Sequence, residues 1–250
     1  MQILLSCAKT MAEHATIRVP YTTEPLYRAE ADAAAAALAS LTADDLGRLL
    51  RVNRTLAAEN RRRYASFHAA ETMPALAAYT GIVFKRIDPA SFSTADFEYA
   101  QEHLNITSFL YGLLRPLDAI RPYRLEGDAI LPGDEQTRFA FWQRRLTDRF
   151  LDKIRADDGI LLNLASSEMK RLFDWRRLTR EVRIITPEFR IREGDRLRTI
   201  VVYTKMCRGE MTRFALQGRI GDPEQLKAFE WEGFRFDPAA SRGDTWFFTM

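Results

Sequence analysis

Several short segments of the chain place small, polar and charged residues directly after apolar runs. Lys9 follows the first apolar run, and Glu168 and Lys205 follow two later ones. A glutamate in a pocket can act as a general acid or base, and a lysine there can stabilise developing negative charge. Lys9, Glu168 and Lys205 are therefore the candidate catalytic residues of this sequence.

The same segments carry further groups that bind anions. Arg115 and Arg124 lie beside prolines, so the backbone that holds these two guanidinium groups should be rigid. Ser166 stands where an apolar run gives way to a predicted helix, and a helix N-terminus attracts anions. The candidate anion-binding residues of these segments are Lys9, Thr10, Arg115, Arg124, Asn163, Ser166, Lys205 and Arg208.

A structural role is the alternative for the two arginines. Arg115 could pair with Asp118, and Arg124 with Glu126. Because open α/β sheets bind ligands at strand ends, we expect the candidate residues to meet in one cationic recess. Glu168 would supply its counter-charge or its acid.

The composition sets outer limits on the function. The chain has 250 residues, 46% hydrophobic and 28% charged, as in ordinary globular proteins. A formal net charge of +3 does not identify a nucleic-acid-binding protein, but residues 54–63, 138–155 and 170–183 are locally basic. There is no basic leader and no apolar run of roughly 18 residues, so we expect a cytoplasmic protein outside the membrane.

Common cofactor and metal motifs are absent from the sequence. It contains no phosphate-binding P-loop, no dinucleotide-binding glycine pattern, no His-Glu-x-x-His and no Cys-x-x-Cys. The three histidines stand far apart, so we predict no cofactor and no metal, and iron sequestration by the protein itself is disfavoured. Cys7 and Cys207 each lie near a basic residue that could lower a thiol pKa, which leaves a redox-sensing role open.

The hydrophobic pattern predicts alternating strands and helices. Strands are expected at 2–6, 78–87, 160–165, 182–191 and 197–203, with a turn at 193–195 and a terminal hairpin joining 234–236 to 246–248. Helices are expected at 24–41, 42–52, 53–67, 93–103, 135–156 and 206–216, with another beginning at Asp222-Pro223. No long linker interrupts them. We predict one compact domain over residues 1–250 with a mixed α+β (α/β) fold, in which helices flank a central mixed sheet.

Five ordered segments closely resemble the YaaA family of peroxide stress proteins. They are Ser6-Cys7-Ala8-Lys9-Thr10, Leu110-Tyr111-Gly112-Leu113-Leu114-Arg115-Pro116-Leu117-Asp118, Pro122-Tyr123-Arg124-Leu125-Glu126, Leu162-Asn163-Leu164-Ala165-Ser166 and Lys205-Met206-Cys207-Arg208-Gly209. The resemblance implies double-stranded DNA binding through a positively charged cleft and a helix-hairpin-helix element. It also implies protection against oxidative damage through lower free intracellular iron. The chain departs from the family pattern at Cys7, Gly127 and Met169.

The helix-hairpin-helix has two possible locations. One spans residues 211–229, with Gly218-Arg219-Ile220-Gly221 as the hairpin, and the other surrounds residues 110–117. Such hairpins offer backbone N–H groups to a phosphate, and glycine permits the close approach. Gly218 and Gly221 therefore join the candidate DNA-binding residues.

Two functions follow from these residues. The first is a monomeric stress protein that binds double-stranded DNA, or another phosphate-bearing ligand, with an affinity that falls steeply with salt. The second is an enzyme that acts on a nucleotide or another anionic small molecule in the same pocket. A deep pocket would favour the enzyme, and an open groove would favour the duplex.

Overall fold

Strands and helices alternate along the chain, and the computed structural model describes residues 1–15, 17–194 and 196–250. The strands in these ranges are β1 (Gln2–Leu5), β2 (Met73–Pro74), β3 (Leu104–Ser108), β4 (Gly112–Leu114), β5 (Ala119–Ile120), β6 (Ile160–Asn163), β7 (Arg183–Glu193), β8 (Arg196–Arg198), β9 (Arg235–Phe236) and β10 (Thr245–Thr249). The α-helices are α1 (Arg28–Ala39), α2 (Ala43–Leu50), α3 (Arg54–Ala65), α4 (Ala75–Ala78), α5 (Ile82–Ile87), α6 (Thr94–His103), α7 (Arg138–Asp157), α8 (Ser167–Lys170), α9 (Trp175–Glu181) and α10 (Val201–Gln217). Short 3₁₀ helices cover Phe67–Ala69, Pro89–Ser91 and Pro223–Ala228.

A mixed sheet of eight strands forms the centre of the molecule. Its order is β4-β3-β1-β6-β7-β10-β9, with β8 paired to β7, while β2 and β5 form a separate pair. Strands β3, β1, β6, β7 and β10 run parallel, and β4, β8 and β9 join antiparallel to their neighbours. The predicted mixed sheet and the terminal hairpin of β9 and β10 are confirmed.

The central strands are buried along their length. Every residue of β1 is buried, and so are the last three residues of β6. A parallel strand that is buried on both faces has a continuous apolar sequence. This pattern predicts both β1 and β6. The buried apolar side chains pack into one continuous core. No helix in the described ranges combines the length and apolarity needed to cross a membrane.

Side-chain caps fix the starts of several helices. Thr42 and Ser93 each accept a backbone N–H three residues ahead, and Ser93 forms a capping box with Asp96. These caps begin the helices predicted at 42–52 and 93–103. The apolar residues of α7 recur every three or four positions and are buried in the core: Phe139, Trp142, Leu146, Phe150 and Ile154.

The prediction of a strand at 78–87 is wrong, because helices α4 and α5 occupy this region. Its aromatic and β-branched residues favour strands when considered alone. Packing overrides that preference, since α5 lies directly against α10. Gly81 caps α5 at a position where an added Cβ would lie 2.7 Å from the Ala8 Cβ.

The prediction of a strand at 197–203 is correct for its first two residues alone. Strand β8 ends at Arg198, and α10 begins at Val201. Val201 and Val202 are exposed, whereas Cys207, Met211 and Ala215 of the same helix are buried. The helical conformation of residues 201–203 therefore follows from the burial of later residues of α10. Asp195, part of the predicted turn, lies outside the described residues.

Candidate functional site

The order of strands changes direction at β1. Strands β3 and β4 lie on one side of β1 in the sheet. The later strands β6 and β7 lie on its other side. Open α/β sheets bind ligands outside the carboxyl ends of their strands at such a switch point. The segments that follow β1, β3 and β6 meet there and line one pocket.

This pocket, which we call the sheet-edge pocket, has a volume of about 420 Å³. The volume lies within the range of small-molecule sites. Apolar side chains of α5 line part of it. Seven of the residues predicted from the sequence line it as well: Lys9, Thr10, Arg124, Ser166, Glu168, Lys205 and Arg208. Four of these residues are cationic and one is acidic. The expected cationic recess is therefore present for these seven residues.

Hydrogen bonds tie the two central loops together. The Ser166 backbone N–H donates to the Ser6 Oγ at 2.9 Å, and the two hydroxyl oxygens lie 3.4 Å apart. The Ser166 side chain also accepts the Met169 N–H and so caps α8. These bonds explain why Ser6 and Ser166, which follow neighbouring parallel strands, reach the same pocket.

Glu126 neutralises part of the charge at the pocket. Lys9 Nζ donates to Glu126 at 2.7 Å, and an Arg124 Nη donates to the same carboxylate at 3.2 Å. The structural alternative for Arg124 is therefore confirmed, although this residue also lines the pocket. The Nε of Arg124 is buried without a hydrogen-bond partner.

Arg208 differs from these paired cations. Its guanidinium group makes no ion pair or hydrogen bond with another side chain in the described part of the protein, and its Nε is buried and unpartnered. Burial lowers the pKa of Arg208, while the charge of Glu188 acts in the opposite direction. Lys205 lies three residues earlier on α10, on the same side of the helix. Both residues lie within this helix and not at the strand end predicted from the sequence.

Glu168 stands at the first turn of α8 with its side chain exposed. The pKa of the Cys7 thiol is raised to about 12. Burial is the main cause, and the negative charge of Glu168 is the second. An acid exposed to solvent at a pocket can exchange protons with a bound molecule. The position of Glu168 is thus compatible with its predicted acid/base role.

A chain of buried hydroxyl groups lies beneath the pocket and was missed in the sequence. The Tyr79 and Tyr123 hydroxyl oxygens are 2.9 Å apart, and Tyr123 is 2.7 Å from Ser108 Oγ. Burial raises the pKa of both tyrosines. Tyr123 also lines the pocket, and its hydroxyl is held by Tyr79 and Ser108. Its only sequence signal is that Tyr123 falls in one of the five family-like segments.

The prediction that Arg115 joins this pocket is wrong. Its Nε and Nη2 donate to Asp118 Oδ1 at 3.2 and 3.0 Å, which confirms the structural alternative. Asp118 is buried and also accepts the Arg115 backbone N–H at 2.8 Å, so it fixes the turn. Arg115 instead lines a separate cavity of about 550 Å³, which we call the Lys153 cavity.

Asn163 also does not reach the pocket, contrary to prediction. It is buried, its Nδ2 donates to Thr186 Oγ1 at 3.3 Å, and its Oδ1 accepts the Ala165 N–H at 3.2 Å. Both ends of the Asn163 side-chain amide are therefore hydrogen-bonded to other protein groups. Asn163 therefore supports the loop that carries Ser166.

Gly218 and Gly221 lie in the turn between α10 and the 3₁₀ helix Pro223–Ala228, away from the pocket lining. The Gly218 N–H donates to Phe214, and the next two N–H groups donate to Leu216 and Ala215. Gly218 thus has no free N–H for a phosphate, contrary to the reason for choosing it. The second proposed location for the hairpin is wrong, because residues 104–114 form the β3–β4 strand pair.

The two cysteines do not have the environment expected of redox sensors. Burial raises the pKa of Cys207 to about 12 as well, with the charge of Glu210 adding to the effect. The basic neighbours of both thiols therefore fail to lower their pKa. In the described residues, no group of three or more His, Cys, Asp or Glu side chains could hold a metal ion.

Both thiols are expected to react slowly in the folded protein. Because the thiolate is the reactive form, a raised pKa suppresses attack on a disulfide reagent at pH 7.5. We expect labelling by Ellman's reagent at roughly one-tenth or less of the rate in 6–8 M urea, where the thiols are exposed. Comparison of the native protein with Cys7→Ser and Cys207→Ser assigns each rate. Rapid labelling of either folded cysteine would contradict the structure.

Comparison with known proteins supports the resemblance seen in the five segments. The family model described as peroxide stress protein YaaA matches residues 1–240. A UPF0246 protein of Bacteroides thetaiotaomicron is 58% identical over 96% of this chain and 95% of its own length. UPF0246 proteins of Burkholderia cenocepacia and Crocosphaera subtropica are 37% and 33% identical, covering 98% and 96% of this chain and 97% and 96% of their own lengths.

Proposed function

The chain belongs to the peroxide stress protein YaaA family, and we propose that it acts in the oxidative-stress response by binding double-stranded DNA at the sheet-edge pocket. The family description supports the general role in peroxide stress. One observation carries the choice of ligand: among the described residues no side chain pairs with the Arg208 guanidinium, which lines a pocket with a cationic excess together with Lys205.

A phosphate diester suits this arrangement better than a neutral ligand. A guanidinium group binds phosphate oxygens with two parallel N–H bonds, and an ammonium group adds a mobile point charge. A buried cation without a partner is costly, and a bound phosphate would offset that cost. Lys9 and Arg124 already share Glu126, so Lys205 and Arg208 are the primary contacts in this proposal.

The protective effect would arise at the DNA. A protein bound along the backbone covers the sugar and phosphate groups that iron-derived radicals attack. In this proposal the protein binds DNA as a monomer. Gly221, beside the 3₁₀ helix Pro223–Ala228, would supply a second backbone contact to the duplex.

The Lys205→Ala variant tests this proposal through salt dependence. Loss of one phosphate contact should reduce duplex affinity several-fold at 50 mM salt and lower the slope of log K against log salt by about 0.9. Lys85→Ala is the matched control, because Lys85 is exposed and outside the pocket lining. The measurement is fluorescence anisotropy with a labelled duplex at 50–200 mM salt. Equal slopes for both variants and the native protein would remove Lys205 from the interface.

An enzyme acting on a nucleotide or another anionic small molecule is the second candidate. The pocket volume and the presence of Glu168 and Tyr123 in the lining favour it, because phosphate contacts alone need neither side chain. A panel of nucleotides and sugar phosphates would be screened for turnover. Glu168→Gln should abolish any activity found and should not weaken duplex binding, because it removes a negative charge from the pocket lining. Activity that survives Glu168→Gln would show that this carboxylate is not the acid or base.

A further inference from the structure

The Lys153 cavity lies apart from the sheet-edge pocket and has no part in the proposed function. It measures about 550 Å³ and is bounded by α7, the end of α6, strand β4 and the segment before α1. Much of its lining is apolar and includes Leu26, Leu113, Leu146 and Phe150. Leu26 lines the cavity and is 50% exposed, so it forms an apolar lip at the opening. A ligand of this cavity should therefore have an apolar body.

Lys153 points its amine at this cavity from α7. The Nζ donates to Asn105 Oδ1 at 2.9 Å. The Asn105 amide cannot turn, because its Nδ2 donates to Gln2 Oε1, the Ile3 carbonyl and the His103 carbonyl. The lysine is thus held by a fixed neutral acceptor, which leaves two of its donor positions without a protein partner among the described residues.

Charged groups surround the lysine without pairing with it. Among the described residues, Lys153 makes no ion pair. Burial lowers its pKa to about 8, and the charge of Arg115 acts in the same direction, while the charges of Glu102, Asp118 and Asp157 oppose this shift. The further charged side chains of the cavity are Glu24, Arg149 and Asp152. A lysine with a lowered pKa has a larger fraction of neutral amine at neutral pH, and neutral amine is the nucleophile.

We propose that Lys153 is the nucleophile of a second site, which captures small apolar aldehydes as imines. The amine lone pair adds to the carbonyl carbon, and the nitrogen proton passes to the carbonyl oxygen to give a carbinolamine. That intermediate loses water and leaves the C=N bond, so the step needs no oxidant or reductant. The apolar lining would hold the aldehyde chain, and Asn105 would hold the amine in position.

Reductive trapping tests this site in the full-length protein. Hexanal with cyanoborohydride at pH 7.5 should label Lys153 at least about 10-fold faster than any of the other five lysines, as read by peptide mass spectrometry. The exposed Lys85 serves as the internal control. Lys153→Arg should remove this label alone. Labelling of Lys153 no faster than Lys85 would overturn the proposal.

A second variant tests the apolar lip independently of folding. Because Leu26 is half exposed, Leu26→Ser should leave the thermal unfolding midpoint nearly unchanged. It should lower Lys153 labelling by hexanal several-fold but not labelling by formaldehyde, which has no apolar chain. Unchanged hexanal labelling in Leu26→Ser would show that the cavity does not select the apolar body. Reduced labelling by both aldehydes would assign the effect to a disturbed lysine and would also overturn the proposal.

Discussion

The Arg208→Met variant is expected to lose duplex affinity by about 10-fold or more while its folding stability stays equal or rises. A hydrogen bond to a charged group contributes about 1.5–3 kcal/mol, and the loss of that free energy of binding accounts for the expected fall in affinity. Stability should not fall, because methionine replaces a partly buried cation that pairs with no side chain among the described residues. A gain of stability with a loss of function is typical of binding sites.

Arg213→Met provides the matched control on the same helix. Arg213 Nη1 donates to Ser91 Oγ at 2.7 Å, to Asp88 Oδ2 at 3.0 Å and to the Ile87 carbonyl at 3.2 Å. Its loss should therefore reduce the free energy of unfolding and leave duplex affinity near the native value. Anisotropy titration and urea unfolding measure both quantities for each variant. If Arg208→Met behaves like Arg213→Met, Arg208 is a structural residue and the proposed contact is wrong.

Gly209→Ala should destabilise the fold more than other glycine substitutions in the helices. An added Cβ would lie 2.3 Å from the Val83 carbonyl oxygen and 2.6 Å from the Arg86 Cβ, so α5 and α10 would have to move apart. Overpacking of this kind costs about 1–3 kcal/mol. In a chain of this size that corresponds to a fall of roughly 2–12 °C in the unfolding midpoint. Duplex affinity should fall too, because both helices line the sheet-edge pocket.

Gly221→Ala is the control for this clash. Nothing lies within 4 Å of the Cβ that alanine would add there, and Gly221 is not among the glycines with positive φ. Its unfolding midpoint should stay within about 1–2 °C of the native value, as for surface substitutions. Scanning calorimetry of the two variants makes the comparison. Equal midpoints for Gly209→Ala and Gly221→Ala would contradict the close contact between α5 and α10.

The sequence predicts the centre of the sheet well, and the reason is local. Strands β1 and β6 are short, continuously apolar and followed at once by small polar residues, a pattern that arises when a buried parallel strand ends at an open edge. Lys9 and Ser166 were found through this pattern. Helix α7 was equally clear, because its apolar residues recur every three or four positions.

The errors occur where contacts distant in sequence decide the structure. Residues 78–87 have strand propensity, but α5 packs on α10, which lies more than 100 residues later. Arg115 is different, because the deciding contact is local: the buried Asp118, three residues later, holds it inside a turn. The chain of Tyr79, Tyr123 and Ser108 joins three separate segments, and no spacing rule connects them.

A crystal structure of the protein with a short DNA duplex tests the central claim most directly. The predicted result is a backbone phosphate within hydrogen-bond distance of the Arg208 guanidinium group and the Lys205 ammonium group. The same complex prepared with Arg208→Met should lose that phosphate from the pocket. A duplex bound to another face, with the sheet-edge pocket making no contact to any phosphate, would contradict the account.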